Sequence, residues 1–236
     1  MGEGDVDIRT LETADDMAAI GTVFQQIWGT TTPIVATDIL MALSHAGGYV
    51  AGAFDSGHAV GASFGFLAEH QGERALYSHV TGILPGLQHG GVGRAMKQHQ
   101  RAWAAERGIA WIVWTFDPLV RRNAWFNIEV IGAQVVSYLV NFLGTTDDPH
   151  GEGETDRLVV AWPTSDGVER PRPFGEVETT HIETPDDIFV VRRTDPSAAA
   201  DWRIHLRNEL APLLQSGGVV TAFTRDGAYV VDTPIS

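Results

Sequence analysis

Residues 75–107 hold the feature that most constrains this chain. An apolar run from Ala75 to Leu84, closed by Pro85, leads into Gln88-His89-Gly90-Gly91-Val92-Gly93-Arg94, and a helix-like run follows from Gly90 to about Arg107. A strand, a glycine-rich turn and a helix in that order make an anion cradle. Glycines let backbone N–H groups approach a phosphate closely, and the start of a helix adds the positive end of its dipole. The turn lacks the Lys-Ser/Thr of a P-loop, and its glycines at 90, 91 and 93 do not have the G-x-G-x-x-G spacing of a dinucleotide fold. Arg94, Lys97 and Arg101 follow on the helix, within an acid-poor stretch from Ile83 to Ala105.

That local cationic stretch matters because the 236-residue chain carries a formal net charge of −14. Such a surface repels nucleic acid and anionic membranes, so neither is expected as a partner. A phosphate site needs only local N–H groups and a few cations. No apolar run approaches the ~20 residues of a membrane span. Met1 to Asp7 is acidic and polar and does not read as a secretory signal. Cysteine is absent, which excludes disulfides, thiolate catalysis and Cys-ligated metal and fits a reducing cytoplasm.

Periodicity orders the rest. Asp5–Leu11 alternates as a strand. Thr13 to Asp16 gives a cap and acidic first turn for a helix carrying Met17, Ile20, Val23, Phe24 and Ile27. Asp38–Ala46 reads as a shorter helix. Strands follow at Tyr49–Phe54, Ala59–Ala68 and Ala75–Leu84, separated by turn residues. After the long helix come a strand at Trp111–Phe116, a helix at Arg121–Ile131 with Gly132 as its C-cap, and strands at Ala133–Phe142 and Leu158–Trp162. Residues 163–185 are rich in Pro, Thr, Glu and Gly and read as a linker. Ile188–Arg192 reads as a strand, Ser197–Gln215 as an amphipathic helix, and Val219–Phe223 with Ala228–Val231 as a hairpin around Arg225-Asp226-Gly227.

Gln88, Gly91 and Gly93 fit Q/R-x-x-G-x-G/A, and the element order β-α-α-β-β-β-α-β-α-β-β places that turn after the fourth strand. In both respects the chain resembles the GNAT acyl-CoA N-acyltransferases. It resembles more closely one branch of that superfamily, the predicted acyltransferases with a Trp-Thr-Phe-Asp-Pro-Leu segment, here Trp114–Leu119. Ser78-His79, Asn123-Ala124 with Asn127, Asn141-Phe142 with Gly144, and Asp156-Arg157 with Trp162 match in the same order, and the Arg203/Arg207 spacing and last hairpin match more weakly. The resemblance implies an α/β (α+β) GNAT fold, with a mixed central sheet of about seven strands flanked by helices and a small C-terminal strand-helix-hairpin appendage. The resemblance gives a catalytic domain (1–162), and composition and periodicity give a linker (163–185) and the appendage (186–236). The resemblance further implies transfer of an acetyl or succinyl group from acyl-CoA to the amine of a small molecule or amino acid. The backbone of Gly82, Ile83 and Leu84 would pair with the pantetheine amides, and Gln88, His89, Gly90, Gly91, Val92, Gly93 and Arg94 would hold the pyrophosphate.

Direct acyl transfer needs a base for the amine, a polarised thioester carbonyl and a proton for the thiolate. His79, a few residues before the cradle, is the first base candidate; the alternative is a histidine hydrogen-bonded within the sheet. Glu69 is the second base candidate, or a solvated turn carboxylate. Ser78 and His79 alternate, so they line one cleft only across a bulge. Asp117 either shapes the active-site edge or caps the next helix. Asn123 and Asn127 share a helix face and could bond the cofactor or the substrate, or form a polar stripe. Many GNAT enzymes carry a tyrosine acid on this helix, and Ile128 stands at its position here. Tyr138 on the next strand is the substitute candidate, or a packing residue. Arg121, Arg122 or Arg157 could pair an acceptor carboxylate. The histidines show no metal-ligand spacing, so no metal is expected. Two other readings stay open: a non-catalytic acyl-CoA sensor, and an acetylase of a basic protein or aminoglycoside drawn to the acidic surface. The tail could pack on the main domain or form a homodimer element.

Overall fold

The computed structural model describes residues 6–87, 90–144, 146–148 and 151–235. The chain forms two compact units, one of Met1–Val113 with Pro163–Asp166 and the other of Trp114–Trp162 with Gly167–Ser236.

The first unit contains β1 (Asp7–Thr10), α1 (Ala14–Trp28), α2 (Thr37–His45), β2 (Tyr49–Asp55), β3 (His58–His70), β4 (Glu73–Ile83), α3 (Val92–Glu106) and the first half of β5 (Trp111–Phe116). The Thr13 hydroxyl accepts from Asp16 N–H at 3.2 Å to open α1, and Gly29 closes it in the left-handed region at φ 63°. The inner face of α1 (Met17, Ile20, Val23 and Phe24) packs with Leu40, Val50, Ala62 and Phe64. A second cluster on the other sheet face joins Val92 and Met96 of α3 to Ala53, Val60 and Ile83. Strands β1 to β4 pair antiparallel in sequence order, and β5 joins β4 in parallel at Ala75–Tyr77 against Trp111–Val113. Gly82 sits where α1 crosses β4: a Cβ there would stand 2.8 Å from Ile27 Cδ1 and 3.0 Å from Trp28. Gly82→Ala is therefore expected to lower stability by about 1–3 kcal/mol, the cost of overpacking, read as a fall in denaturation midpoint at unchanged slope.

The second unit contains the end of β5, α4 (Arg121–Trp125), a π-helical turn (Phe126–Ile131), β6 (Gln134–Leu139), β7 (Thr146–Asp148), β8 (Gly151–Gly153), β9 (Arg157–Pro163), β10 (Val177–Glu183), α5 (Ile188–Thr194), α6 (Pro196–Gln215), β11 (Val219–Phe223) and β12 (Ala228–Pro234). Strands β9 and β6 complete a seven-stranded mixed sheet of order β1-β2-β3-β4-β5-β9-β6, flanked by helices as the α/β reading expects. A three-stranded sheet, β10-β12-β11, and the β7-β8 hairpin stand apart from it.

Two local readings are corrected. Ile188–Arg192 is not a strand but most of helix α5. Its β-branched run suggested a strand, but the Asp187 carboxylate accepts from the N–H groups of Phe189 (2.9 Å) and Val190 (3.2 Å) and starts a helix. The strand that joins the last hairpin is instead β10, inside the 163–185 stretch, where Val177–Glu183 pairs along the whole of β12. The helix expected over Arg121–Ile131 also changes type at Phe126, from α to π.

Unit two is pinned by an ion cluster. Asp156, 5 % exposed, accepts from Arg207 at 2.7 and 2.9 Å, from Tyr138 Oη at 2.7 Å and from Asn141 N–H at 3.0 Å. Burial pushes its carboxyl pKa up, but these donors outweigh that and hold it below the usual range. Arg207→Ala strands the buried carboxylate and is expected to cost about 3 kcal/mol. The sign of the pH effect follows from the lowered pKa. The stabilisation is full above the unfolded value near 3.8 and is lost as pH falls through the lower folded value, so acid unfolding should begin at higher pH in Arg207→Ala. Circular dichroism against pH and denaturant checks both.

Candidate active site

The described part of the glycine turn, from Gly90 on, opens α3. Gly91 caps α3 in the left-handed region at φ 76°, with no side chain bonded to the helix start. The first intrahelical bond runs from Ala95 N–H to Gly91 O at 3.0 Å, so the N–H groups of Val92, Gly93 and Arg94 precede the helical ladder. A Cβ on Gly91 would meet nothing within 4 Å, and one on Gly93 would meet only Ile83 Cγ1 at 3.8 Å. The glycines are therefore not packed against protein, and the turn leaves room for an anion against the backbone. Gln88 and His89 lie outside the described residues.

The cations are not all gathered there. Arg94 is exposed on the first turn. Lys97 turns inward, 5 % exposed, and donates to Ser78 Oγ at 2.9 Å and Gln100 Oε1 at 3.2 Å. Arg101 bonds Pro163 O at 3.0 Å and Ser165 O at 2.9 Å and pairs with Asp166 at 2.9 Å. Of the three-cation row expected on α3, Lys97 and Arg101 thus serve the interior and the 163–166 segment.

Strand β4 carries the other elements. Leu84 N–H is spent on Val60 O at 2.9 Å, so by alternation Gly82 and Leu84 bond towards β3 and the Ile83 backbone points to the opposite edge. The register between β3 and β4 breaks where Phe64 opposes Val80 and Gly65 opposes Ser78, leaving His79 as the extra residue of a β-bulge. Ser78 and His79 still face opposite ways. Ser78 meets Lys97 of α3, whereas the His79 ring lies 5.3 Å from Phe64, 6.0 Å from Phe66 and 6.2 Å from Tyr77. Desolvation by this surround lowers the imidazole pKa below its usual 6.5. His79 is exposed, and among the described residues its ring meets these aromatic rings and no hydrogen-bond partner. Glu69 is exposed opposite Arg74, four residues beyond the bulge or about 13 Å along β3. The strand does not bring it to His79.

In the second unit the Asp117 carboxylate caps the turn after β5, accepting from Leu119 N–H at 2.9 Å, and pairs with Arg192 at 2.6 Å. Asn127 Oδ1 accepts from Trp114 Nε1 at 3.2 Å, and Asn127 is buried. Asn123 is half-buried, and the change to π geometry at Phe126 alters the i, i+4 relation the two asparagines were expected to keep. Ile128 is 1 % exposed, and its carbonyl accepts from Arg170. Tyr138 donates to Asp156, and burial together with that carboxylate pushes its phenol pKa far up. It is held as a structural donor within the ion cluster. Arg121 is committed to Thr184 and Asp186, and Arg122 lies over the Phe189 ring. Arg157 keeps a buried Nε without a hydrogen-bond partner among the described residues. Among the described residues no group of three or more His, Cys, Asp or Glu side chains could hold a metal ion, and no helix is long and apolar enough to cross a membrane.

No protein-family model and no curated protein matches the sequence. The fold does match solved structures. A probable acetyltransferase from Staphylococcus epidermidis superposes with a TM-score of 0.56 at 15 % identity, covering 68 % of this chain and 99 % of that one. A putative acetyltransferase from Salmonella typhimurium, solved with its cofactor acetyl-CoA, gives 0.55 at 16 % identity over 71 % and 98 %. The ribosomal-protein-S18-alanine N-acetyltransferase of Escherichia coli gives 0.52 at 21 % identity over 71 % and 99 %. At these identities the likeness is one of fold.

Proposed function

We propose that this chain is an acyl-CoA-dependent N-acyltransferase of the GNAT type, moving an acetyl or succinyl group from the CoA thioester to the amine of a small molecule or amino acid. The observation that carries the reading is the open glycine turn at the start of α3, continuous with a β4 that bulges at His79, in a fold shared with acetyltransferases. Backbone N–H groups from Gly91 to Arg94 hold the pyrophosphate, where the helix dipole favours negative charge. The Ile83 edge of β4 guides the pantetheine arm towards the bulge. There His79, neutral over most of the physiological range because its pKa is lowered, takes the proton of the attacking amine.

A sensor that binds acyl-CoA without turnover is favoured by one observation, the buried Ile128 where a tyrosine acid is expected. Thiol release from acetyl-CoA and succinyl-CoA against a panel of amines and amino acids separates the two. Acceptor-dependent release supports the transferase, whereas saturable CoA binding with no release from any donor supports the sensor.

A further inference from the structure

A transferase without the tyrosine still has to protonate its leaving thiolate, and β4 offers a source on the face opposite His79. Lys97 is enclosed between α3 and β4. Its ammonium donates to Ser78 Oγ at 2.9 Å and is steadied by Gln100, whose amide reaches Ser63 at 3.4 Å; Ser63 in turn meets Thr81 Oγ1 at 2.7 Å. Burying an ammonium is costly, and the hydroxyl and amide oxygens bonded to it offset part of that cost. The Ser78 oxygen accepts from Lys97, which leaves its hydroxyl proton for donation elsewhere.

Ser78, 4 % exposed, also stands where β4 and β5 begin to part. It is the first residue of β4 after the parallel register with β5 ends at Tyr77 opposite Val113. A phosphopantetheine arm, with its two amides, is about as long as five residues of extended chain, ~17 Å. Counted back along β4 from Leu84, beside the glycine turn, five residues end at His79, next to Ser78.

We propose that Ser78, charged by Lys97 behind it, is the proton donor to the departing CoA thiolate. The inference rests on the acyltransferase reading above. As the C–N bond forms and the C–S bond breaks, the electron pair leaves on sulfur. Ser78 Oγ–H gives its proton to sulfur, and Lys97 replaces it with one from its ammonium. The amine's proton has gone to His79 on the other face. Solvent then takes one proton from His79 and returns one to Lys97, so the cycle closes. Ser78 is the catalytic residue and Lys97 a positioning residue that acts through it.

Desolvation pulls the Lys97 pKa down to about 7, which suits a donor that must recharge each turnover. The other charged and titratable groups nearby are committed elsewhere or face away. On α3, Arg101 pairs with Asp166 and His99 bonds the Tyr49 hydroxyl at 2.9 Å. On β4, Tyr77 and His79 are on the opposite face, and β3 presents Ser63.

The test is kcat against pH for thiol release from acetyl-CoA by the wild type, Ser78→Ala and Lys97→Met, with acetyl-CoA affinity measured by calorimetry on each. The acid must be protonated, so the wild-type rate should fall as pH rises through about 7. Both variants should lose ~100-fold or more in kcat, lose that alkaline limb, and bind acetyl-CoA as the wild type does. Wild-type kcat in Ser78→Ala, or an alkaline limb that persists in Lys97→Met, overturns the proposal while leaving the transferase reading intact. Absence of thiol release from the wild type with every donor and acceptor overturns the transferase reading itself. If Lys97→Met does not fold, Ser78→Ala decides, since it removes the donor and leaves the lysine in place.

Discussion

Replacing His79 by alanine lowers kcat/KM for acyl transfer by 10²- to 10⁴-fold, the usual worth of a general base, with acetyl-CoA affinity within a few-fold of wild type. The expectation follows from placement. His79 is the extra residue of the β4 bulge, exposed, and bordered by Phe64, Phe66 and Tyr77 rather than by a carboxylate that would fix it as a cation. These rings lower its pKa below 6.5, so the neutral base form dominates at pH 7. The acid limb of the wild-type kcat/KM profile should therefore lie below 6.5, beside the alkaline limb expected from Lys97, and the acid limb should vanish in the variant. Steady-state thiol release from pH 5 to 8 reads both. A His79→Ala enzyme with wild-type kcat/KM would move the base elsewhere, with Glu69 next in line despite its distance along β3.

Gly93→Asp weakens acyl-CoA binding by ~100-fold or more without loss of fold. The Cβ has room, with Ile83 Cγ1 at 3.8 Å as its nearest neighbour, so no packing cost is expected. An acidic residue in the first turn of a helix is favourable to the helix dipole by about 0.3–1 kcal/mol, so thermal stability should hold or rise. The same carboxylate stands where the pyrophosphate must sit. Loss of charge-assisted N–H bonds plus like-charge repulsion should raise the acetyl-CoA Kd by ~100-fold or more, about 2.7 kcal/mol. Calorimetric titration beside a thermal melt checks this. Retained affinity in a folded Gly93→Asp protein would place the anion site away from α3.

These effects rest on features that the sequence displays unevenly. Local patterns carried well. Met17, Ile20, Val23 and Phe24 face one core because a 3.6-residue period leaves them no other choice, and Gly91 ends the turn because its φ of 76° suits glycine. The places of the seven strands along the chain follow from apolar runs bounded by turn residues, whereas the β5-β9-β6 order in the sheet does not. The Ile188–Arg192 run misleads because β-branched residues favour strands, whereas a single capping carboxylate, Asp187, decides for a helix; that signal was visible in the sequence. Lys97 was also findable. It lies on the stripe of Val92, Met96, Gln100, Trp103 and Ala104 that α3 turns inward, so its position, not its charge, tells where it points. The fate of Tyr138 was not legible. Its partners Asp156 and Arg207 come from distant parts of the chain, and no local period announces them. The π-helical turn at Phe126 likewise leaves no signature in composition.

The most direct measurement is a titration of ¹⁵N-labelled protein with CoA, following the backbone amides of Gly91, Val92, Gly93 and Arg94. Saturable shifts concentrated on these four amides and on Ile83, absent in Gly93→Asp, are the predicted result. Shifts confined to other parts of the chain, or none at millimolar CoA, would contradict a cofactor cradle at the start of α3.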